Sequence, residues 1–219
     1  MSKVMKMPSA VSEIHEKLRR EVVFLYTKSQ WFKKLYCTDD ETVQLLDSAA
    51  SFFFLVYSEM LRDDIIMTVC RLTDPAKTKV KKAMKNNLTV KYLVEIIPPA
   101  DRALQSSLRS LLTCLDSHCQ PFRKHRNLRI GHCDFEVRLK RSASLLPDIG
   151  LDDVDQALGS IAAVLNAVEM HYCGNEQSYK KGVYGSGNAE DLIKFIKRKK
   201  RLEKEFKRKE FGHDTDGES

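Results

Sequence analysis

The stretch FRKHRNLRIGHCD, residues 122–134, gathers four arginines and lysines, two histidines and an asparagine directly after Pro121. These side chains suit work on a phosphodiester. Histidine titrates near neutral pH, so it can take a proton from a ribose 2′-hydroxyl or return one to a departing 5′-oxygen. Arginine presents a fixed fork of donors to a phosphate that is gathering negative charge. The pair with the most suggestive spacing is Arg126 and His132, with Asn127 beside the arginine to hold the phosphate or fix the histidine tautomer. Neither metal nor cofactor is called for, because RNA carries its own nucleophile. Arg123, His125 and Arg129 supply further phosphate-binding chemistry in the same stretch.

Geometry sets a condition on this reading. At about 100° per residue, six helical steps leave Arg126 and His132 roughly 120° apart. One uninterrupted helix cannot aim both at the same atom. Convergence requires a break, which Gly131 permits, or a second chain that brings its own copy. The plain alternative is a surface helix end whose arginine pairs with a carboxylate such as Asp134 or Glu136.

The elements that must hold these residues read as helices. Apolar positions recur at three- and four-residue spacing over 9–36 and again from the acidic cap at 38–41 to Asp74-Pro75. The FFF run at 52–54 in the second of these is expected in the core. The lysine-rich link 76–87 reads as a loop, with a partly helical segment as the alternative. Thr89 is expected to cap a short helix that ends at Pro98-Pro99. A leucine-rich helix then starts near Asp101, and Pro121 kinks it rather than ending it. Another helix opens at 151–153 and closes at Gly174-Asn175, and a last one covers about 189–209. The expected fold is all-α, a bundle of about five to six helices, with residues 1–187 as the helical domain and 188–219 as an appended basic helix and acidic tail.

Charge is placed unevenly. The chain carries +7 in total, yet the span 194–209 alone holds ten lysines and arginines against two glutamates. The remainder is almost neutral, so the basicity belongs to one C-terminal element. Lys197, Arg198, Lys200 and Arg201 are its candidate RNA contacts. Its Phe195, Ile196, Leu202 and Phe206 are expected to pack. An amphipathic basic helix also suits a membrane surface, but this one lacks tryptophan and any lipid-anchor signal. No stretch is apolar enough to span a membrane and the N-terminus has no secretory pattern. The six scattered cysteines, none in a CxxC pair, read as mostly buried thiols, Cys114 among them. Together these features point to the cytoplasm. Cys114 and His118 stand at i, i+4, but with their neighbours they match no usual zinc spacing.

An arginine, a polar residue, a short gap and a histidine late in an all-helical chain resemble the R-x(4–6)-H motif of the HEPN superfamily. The helix end RLTDP (71–75), the NLTVKYL segment (87–93), the block at 122–134 and the GNAEDL start of the last helix (187–192) together resemble the AbiU-type abortive-infection HEPN proteins. The resemblance covers roughly 41–197. It implies a helical-bundle homodimer with two motifs facing each other. It also implies a metal-independent endoribonuclease of toxin or phage-defence type that leaves a 2′,3′-cyclic phosphate, with Arg126, Asn127 and His132 as its site. Two departures stand out: Gly131, where relatives often have alanine, and the strongly basic last helix. The rival reading is a non-catalytic HEPN-like module that binds RNA or docks a protein. A third has the active surface masked by a cognate antitoxin of nucleotidyltransferase type.

Overall fold

In the computed structural model, which describes residues 6–131, 146–179 and 187–211, the chain is built almost wholly from helices. They are α1 (Ser9–Tyr36), α2 (Asp40–Thr73), α3 (Val90–Glu95), α4 (Arg102–His125), α5 (Leu151–Cys173) and α6 (Ala189–Phe211). A π-helical turn, Arg126–Ile130, extends α4. The fold is all-α, as the periodicity requires, with one small exception. Residues 76–87 are not a loop: Lys77–Val80 (β1) and Ala83–Asn86 (β2) pair antiparallel in a two-stranded hairpin. Every strand residue is exposed. The alternation of apolar and polar residues that normally betrays a strand was therefore never written into this segment.

The helix ends follow their local chemistry. Asp39 accepts the backbone N–H of Thr42 at 2.6 Å at the start of α2, and this hydrogen bond holds the Asp39 carboxyl below its ordinary range. Thr89 caps α3 by accepting from the N–H of Tyr92 at 3.1 Å. Pro121 lies inside α4 without ending it; its missing N–H leaves only the carbonyl of Ser117 without its helical donor. Gly174 closes α5 in the left-handed conformation at φ 71°, where a residue with a Cβ would be strained.

Two units divide the chain: Met1–Ser29 with Arg62–Val183, and Gln30–Leu61 with Tyr184–Ser219. In the first, α4 packs chiefly on α5, and α3 touches both. Its interior is drawn from one face of each helix, including Leu18, Val22 and Leu25 of α1, Val69 and Cys70 of α2, Leu108, Leu115 and Phe122 of α4, and Leu158, Ile161 and Leu165 of α5, all fully buried. Truncating a residue such as Phe122 to alanine costs about 3–5 kcal/mol at sites of this kind. Phe122 therefore fixes the last turn of α4 before Arg126.

In the second unit, Leu35, Leu45, Leu46, Phe54, Ala189 and Ile196 form the core, with Trp31, Tyr36, Tyr57 and Ile193 packed against it. Here the sequence expectation needs correction. Of the three consecutive phenylalanines only Phe54 is buried; Phe52 is 78% and Phe53 61% exposed. Neighbouring residues on a helix point about 100° apart, so three in a row cannot share one inward face. In α6 only Ile196 of the four expected packing residues is buried; Phe195, Leu202 and Phe206 are exposed. The cysteines divide as well: Cys70 and Cys119 are buried, whereas Cys37, Cys114 and Cys173 are exposed, and Cys133 lies outside the described residues.

Asp116 joins α3 to α4. Its carboxylate takes Lys91 Nζ at 2.7 Å and Arg123 Nη2 at 2.9 Å. Burial opposes its charge, but the hydrogen bonds and charges of Lys91 and Arg123 prevail and hold its carboxyl below the usual range. A carboxyl depressed by folding stabilises the protein above its unfolded pKa of about 4 and loses that contribution as pH falls through its folded value. Urea melts should therefore show Asp116→Asn less stable than wild type at pH 7, with the gap narrowing as pH drops below about 4. A gap that is independent of pH would refute the linkage.

Candidate active site around the end of α4

The site is assembled where two helix C-termini meet. α2 ends at Thr73 in the sequence RLTDP, and α4 ends 52 residues further on and continues into the π turn. Asp74, just past the end of α2, accepts Arg126 Nη1 through both carboxylate oxygens, at 2.6 and 2.8 Å. Arg126 Nε donates to Asn127 Oδ1 at 3.1 Å. The guanidinium is thus gripped on two of its nitrogens by groups from two elements. The Asp74 hydrogen bond raises the pKa of Arg126 above its already high ordinary value, so its positive charge is permanent. Its side chain is about one-quarter exposed, enough for solvent or a ligand to reach it.

Arg123 is placed differently from Arg126. Its Nη2 donates to the Thr73 carbonyl at 3.0 Å and to Asp116, closing the C-terminus of α2 where unpaired carbonyls favour a cation. Arg129 pairs with Asp63 of α2. His125 Nε2 donates to the carbonyl of Pro147 at 2.5 Å, and its Nδ1 is buried with no hydrogen-bond partner among the described residues. His125 thereby ties the end of α4 to the segment that leads into α5. Arg71 on α2 and Lys124 are both exposed. Arg71 donates to Thr68 Oγ1 rather than to a carboxylate, so it adds positive charge at this end of the unit.

The π turn changes the geometry expected of an ideal helix. The Gly131 N–H closes onto the Arg126 carbonyl at 2.6 Å, an i to i+5 bond. One extra residue per turn shifts the azimuth at which the chain departs, so the spacing of a straight α-helix does not hold across Arg126–Gly131. The backbone of Gly131 itself is ordinary, at φ −79° and ψ −28°. Glycine serves here by its lack of bulk: a Cβ would stand 3.1 Å from the Arg126 carbonyl oxygen. His132 lies outside the described residues, as do Asp134 and Glu136.

Beneath the site, Cys70 is buried, and that burial raises its pKa to about 11 despite the opposing pull of Arg126. It remains a thiol at neutral pH and offers no nucleophile. Cys119 is likewise raised to about 11 by burial. Cys114 Sγ lies 3.7 Å from His118 Nδ1, which is 2.7 Å from Ser160 Oγ. Among the described residues no group of three or more candidate ligands converges.

The other RNA-contact candidates belong to α6, in the second unit. Lys197 meets Glu41 at 3.3 Å, Arg201 meets Glu205 at 3.6 Å, and Lys200 donates to Ser48. Arg198 is exposed. Sequence reasoning missed Asp63, and it reads Asp74 chiefly as part of the Asp-Pro turn that ends α2, with a supporting role at the site as the alternative. The available signal for Asp74 is the RLTDP helix end.

The chain is built almost wholly from helices, with Arg126 in the π turn that extends α4 bound by Asp74 of the RLTDP helix end. The chain belongs to the HEPN_AbiU2 family (AbiU2), whose profile matches residues 9–207, and it is an abortive-infection HEPN-type domain. No curated protein matches it. No solved structure matches it either. Among the described residues, no helix is long and apolar enough to cross a membrane.

Proposed function

We propose that this chain is a metal-independent endoribonuclease of toxin or phage-defence type. The observation that carries the reading is Arg126, exposed enough to be reached, held by Asp74 and Asn127 at a π turn and followed six residues later by His132. His132 takes the proton of a ribose 2′-hydroxyl; O2′ attacks the adjacent phosphorus; the 5′-oxygen leaves and is protonated. The products are a 2′,3′-cyclic phosphate and a 5′-hydroxyl. Arg126 stabilises the charge that builds on the phosphoryl oxygens, and Asn127 positions the phosphate. Arg123, His125 and Arg129 contribute to RNA binding from the same two turns, chiefly as scaffolding. Lys197, Arg198, Lys200 and Arg201 recruit RNA through the basic helix of the appended segment 188–219.

Two copies of the chain acting together, motif facing motif, belong to the same reading. The uncovered Phe52, Phe53, Phe195 and Phe206 are apolar surface of the kind a second copy covers. The place of action is the cytoplasm, and a nucleotidyltransferase-type antitoxin is the cognate partner this reading allows.

Incubation with total RNA in a chelator-containing buffer tests the activity. Wild type should yield fragments ending in 2′,3′-cyclic phosphate, and His132→Ala none. Undiminished cleavage by the variant, or fragments without the cyclic end, would overturn the assignment. RNA binding without any cleavage by wild type would favour the non-catalytic module instead.

A further inference from the structure

The hairpin Lys77–Asn86 has no evident role in packing. All eight of its strand residues are exposed. An isolated two-stranded hairpin is marginal in water, and among the described residues the hydrogen bonds and ion pair that hold this one lie at its root. Asn87 Nδ2 donates to the Pro75 carbonyl at 2.8 Å and to Thr78 Oγ1 at 2.7 Å. The Asn87 N–H reaches the Ala76 carbonyl at 2.8 Å, Asn86 Nδ2 reaches the Tyr92 hydroxyl, and Lys77 meets Glu95 at 2.9 Å. The anchored Pro75 directly follows Asp74, the residue that grips Arg126. The arm is therefore rooted on the residue beside the clasp.

Its composition is one-sided. Between residues 77 and 86 there are five lysines and no acid. Lys77 has its glutamate; Lys79, Lys81, Lys82 and Lys85 pair with no carboxylate among the described residues. The register, Lys79 opposite Met84 and Thr78 opposite Lys85, puts Lys79 and Lys85 on opposite faces, with Lys81 and Lys82 at the tip. The arm is positive all round. Lys81 adopts φ 55°, a left-handed conformation that glycine or asparagine would take with less strain.

We infer that this hairpin is a second nucleic-acid contact: a lysine arm that grips the RNA phosphate backbone alongside the Arg126 site. The inference rests on the ribonuclease reading for its choice of ligand. Lysine ammonium groups on flexible stems bind phosphates as point charges without reading sequence. The tip carries no aromatic residue that would insert into a membrane interface, and its shared root with Asp74 ties it to a site built for phosphate.

The test measures binding rather than cleavage. Full-length protein carrying His132→Ala, which leaves RNA intact, is titrated with a fluorescent single-stranded RNA at several salt concentrations. It is compared with the same protein also carrying Lys79→Gln, Lys81→Gln, Lys82→Gln and Lys85→Gln. If each lysine neutralises one phosphate, the slope of log Kd against log salt should fall by up to about 2.8 in the quadruple variant. Raising salt from about 50 to about 200 mM would then weaken the parent up to about 50-fold more than the variant. Lys→Arg at the same four positions should keep the parental slope, which separates charge from hairpin damage. An unchanged slope in the glutamine variant overturns the proposal. So does parental protein that binds anionic phospholipid vesicles and not RNA. Failure of the ribonuclease reading registers separately, as missing cyclic-phosphate product from wild type.

Discussion

Alanine at Arg126 is expected to lower RNA cleavage by about 100-fold or more, the loss typical when a preorganised donor to a developing anion is removed. The argument lies in how the guanidinium is held. Asp74 takes Nη1 and Asn127 takes Nε, so the remaining donors project along a direction fixed by two helix ends. Replacement by lysine should recover little, because an ammonium is a point charge without the planar fork that spans both the clasp and a phosphate. Folding should survive the change. The Arg126–Asp74 pair is about one-quarter exposed on each side, so its loss costs between the about 0–1 kcal/mol of a surface pair and the about 3–5 kcal/mol of breaking a buried one, less than the packing of the helices supplies. The measurement is single-turnover cleavage of a defined RNA in chelator, with thermal melts run in parallel. Retention of near-wild-type cleavage by Arg126→Ala would remove the arginine from the mechanism.

The helices and most of their ends were legible in the sequence because each is a local matter. Three-and-four spacing, the Asp39 and Thr89 caps and the Gly174 stop all act within a turn or two of their own positions. What escaped the sequence is non-local or concerns exposure. The pairing of Arg126 with Asp74 spans 52 residues, and no local pattern announces which carboxylate an arginine will find. Apolar letters also overstated the core. Phe52, Phe53, Phe195 and Phe206 are as hydrophobic as buried residues, yet the chain leaves them uncovered. The hairpin at 77–86 was hidden for the converse reason: strands exposed on both faces need no apolar alternation, so lysines read as a loop. At the site, the spacing of Arg126 and His132 raises the expectation of phosphodiester chemistry, but the ideal-helix calculation could not foresee a π turn, in which Gly131 closes onto the Arg126 carbonyl.

Removing the clasp should separate positioning from chemistry. With Asp74→Ala, Arg126 keeps its charge but loses the contact that selects its rotamer, and an unrestrained arginine has about 2 kcal/mol of side-chain entropy to regain. A displacement of about 1 Å at a reacting centre can cost about 100-fold. The expectation is therefore a fall in kcat of about 10- to 100-fold, with KM for RNA changing much less, because every lysine and arginine that attracts RNA is kept. Asp74→Glu should restore part of the rate by supplying a carboxylate one methylene displaced. Asp74→Asn should restore less, since its hydrogen bond lacks the charge assistance that roughly doubles such contacts. A purely structural role would show the opposite signature: a lower melting temperature with kcat per folded molecule unchanged. If Asp74 instead competes with the phosphate for Arg126, the alanine variant would bind RNA more tightly and cleave faster. Either result would reject the clasp as a positioning device.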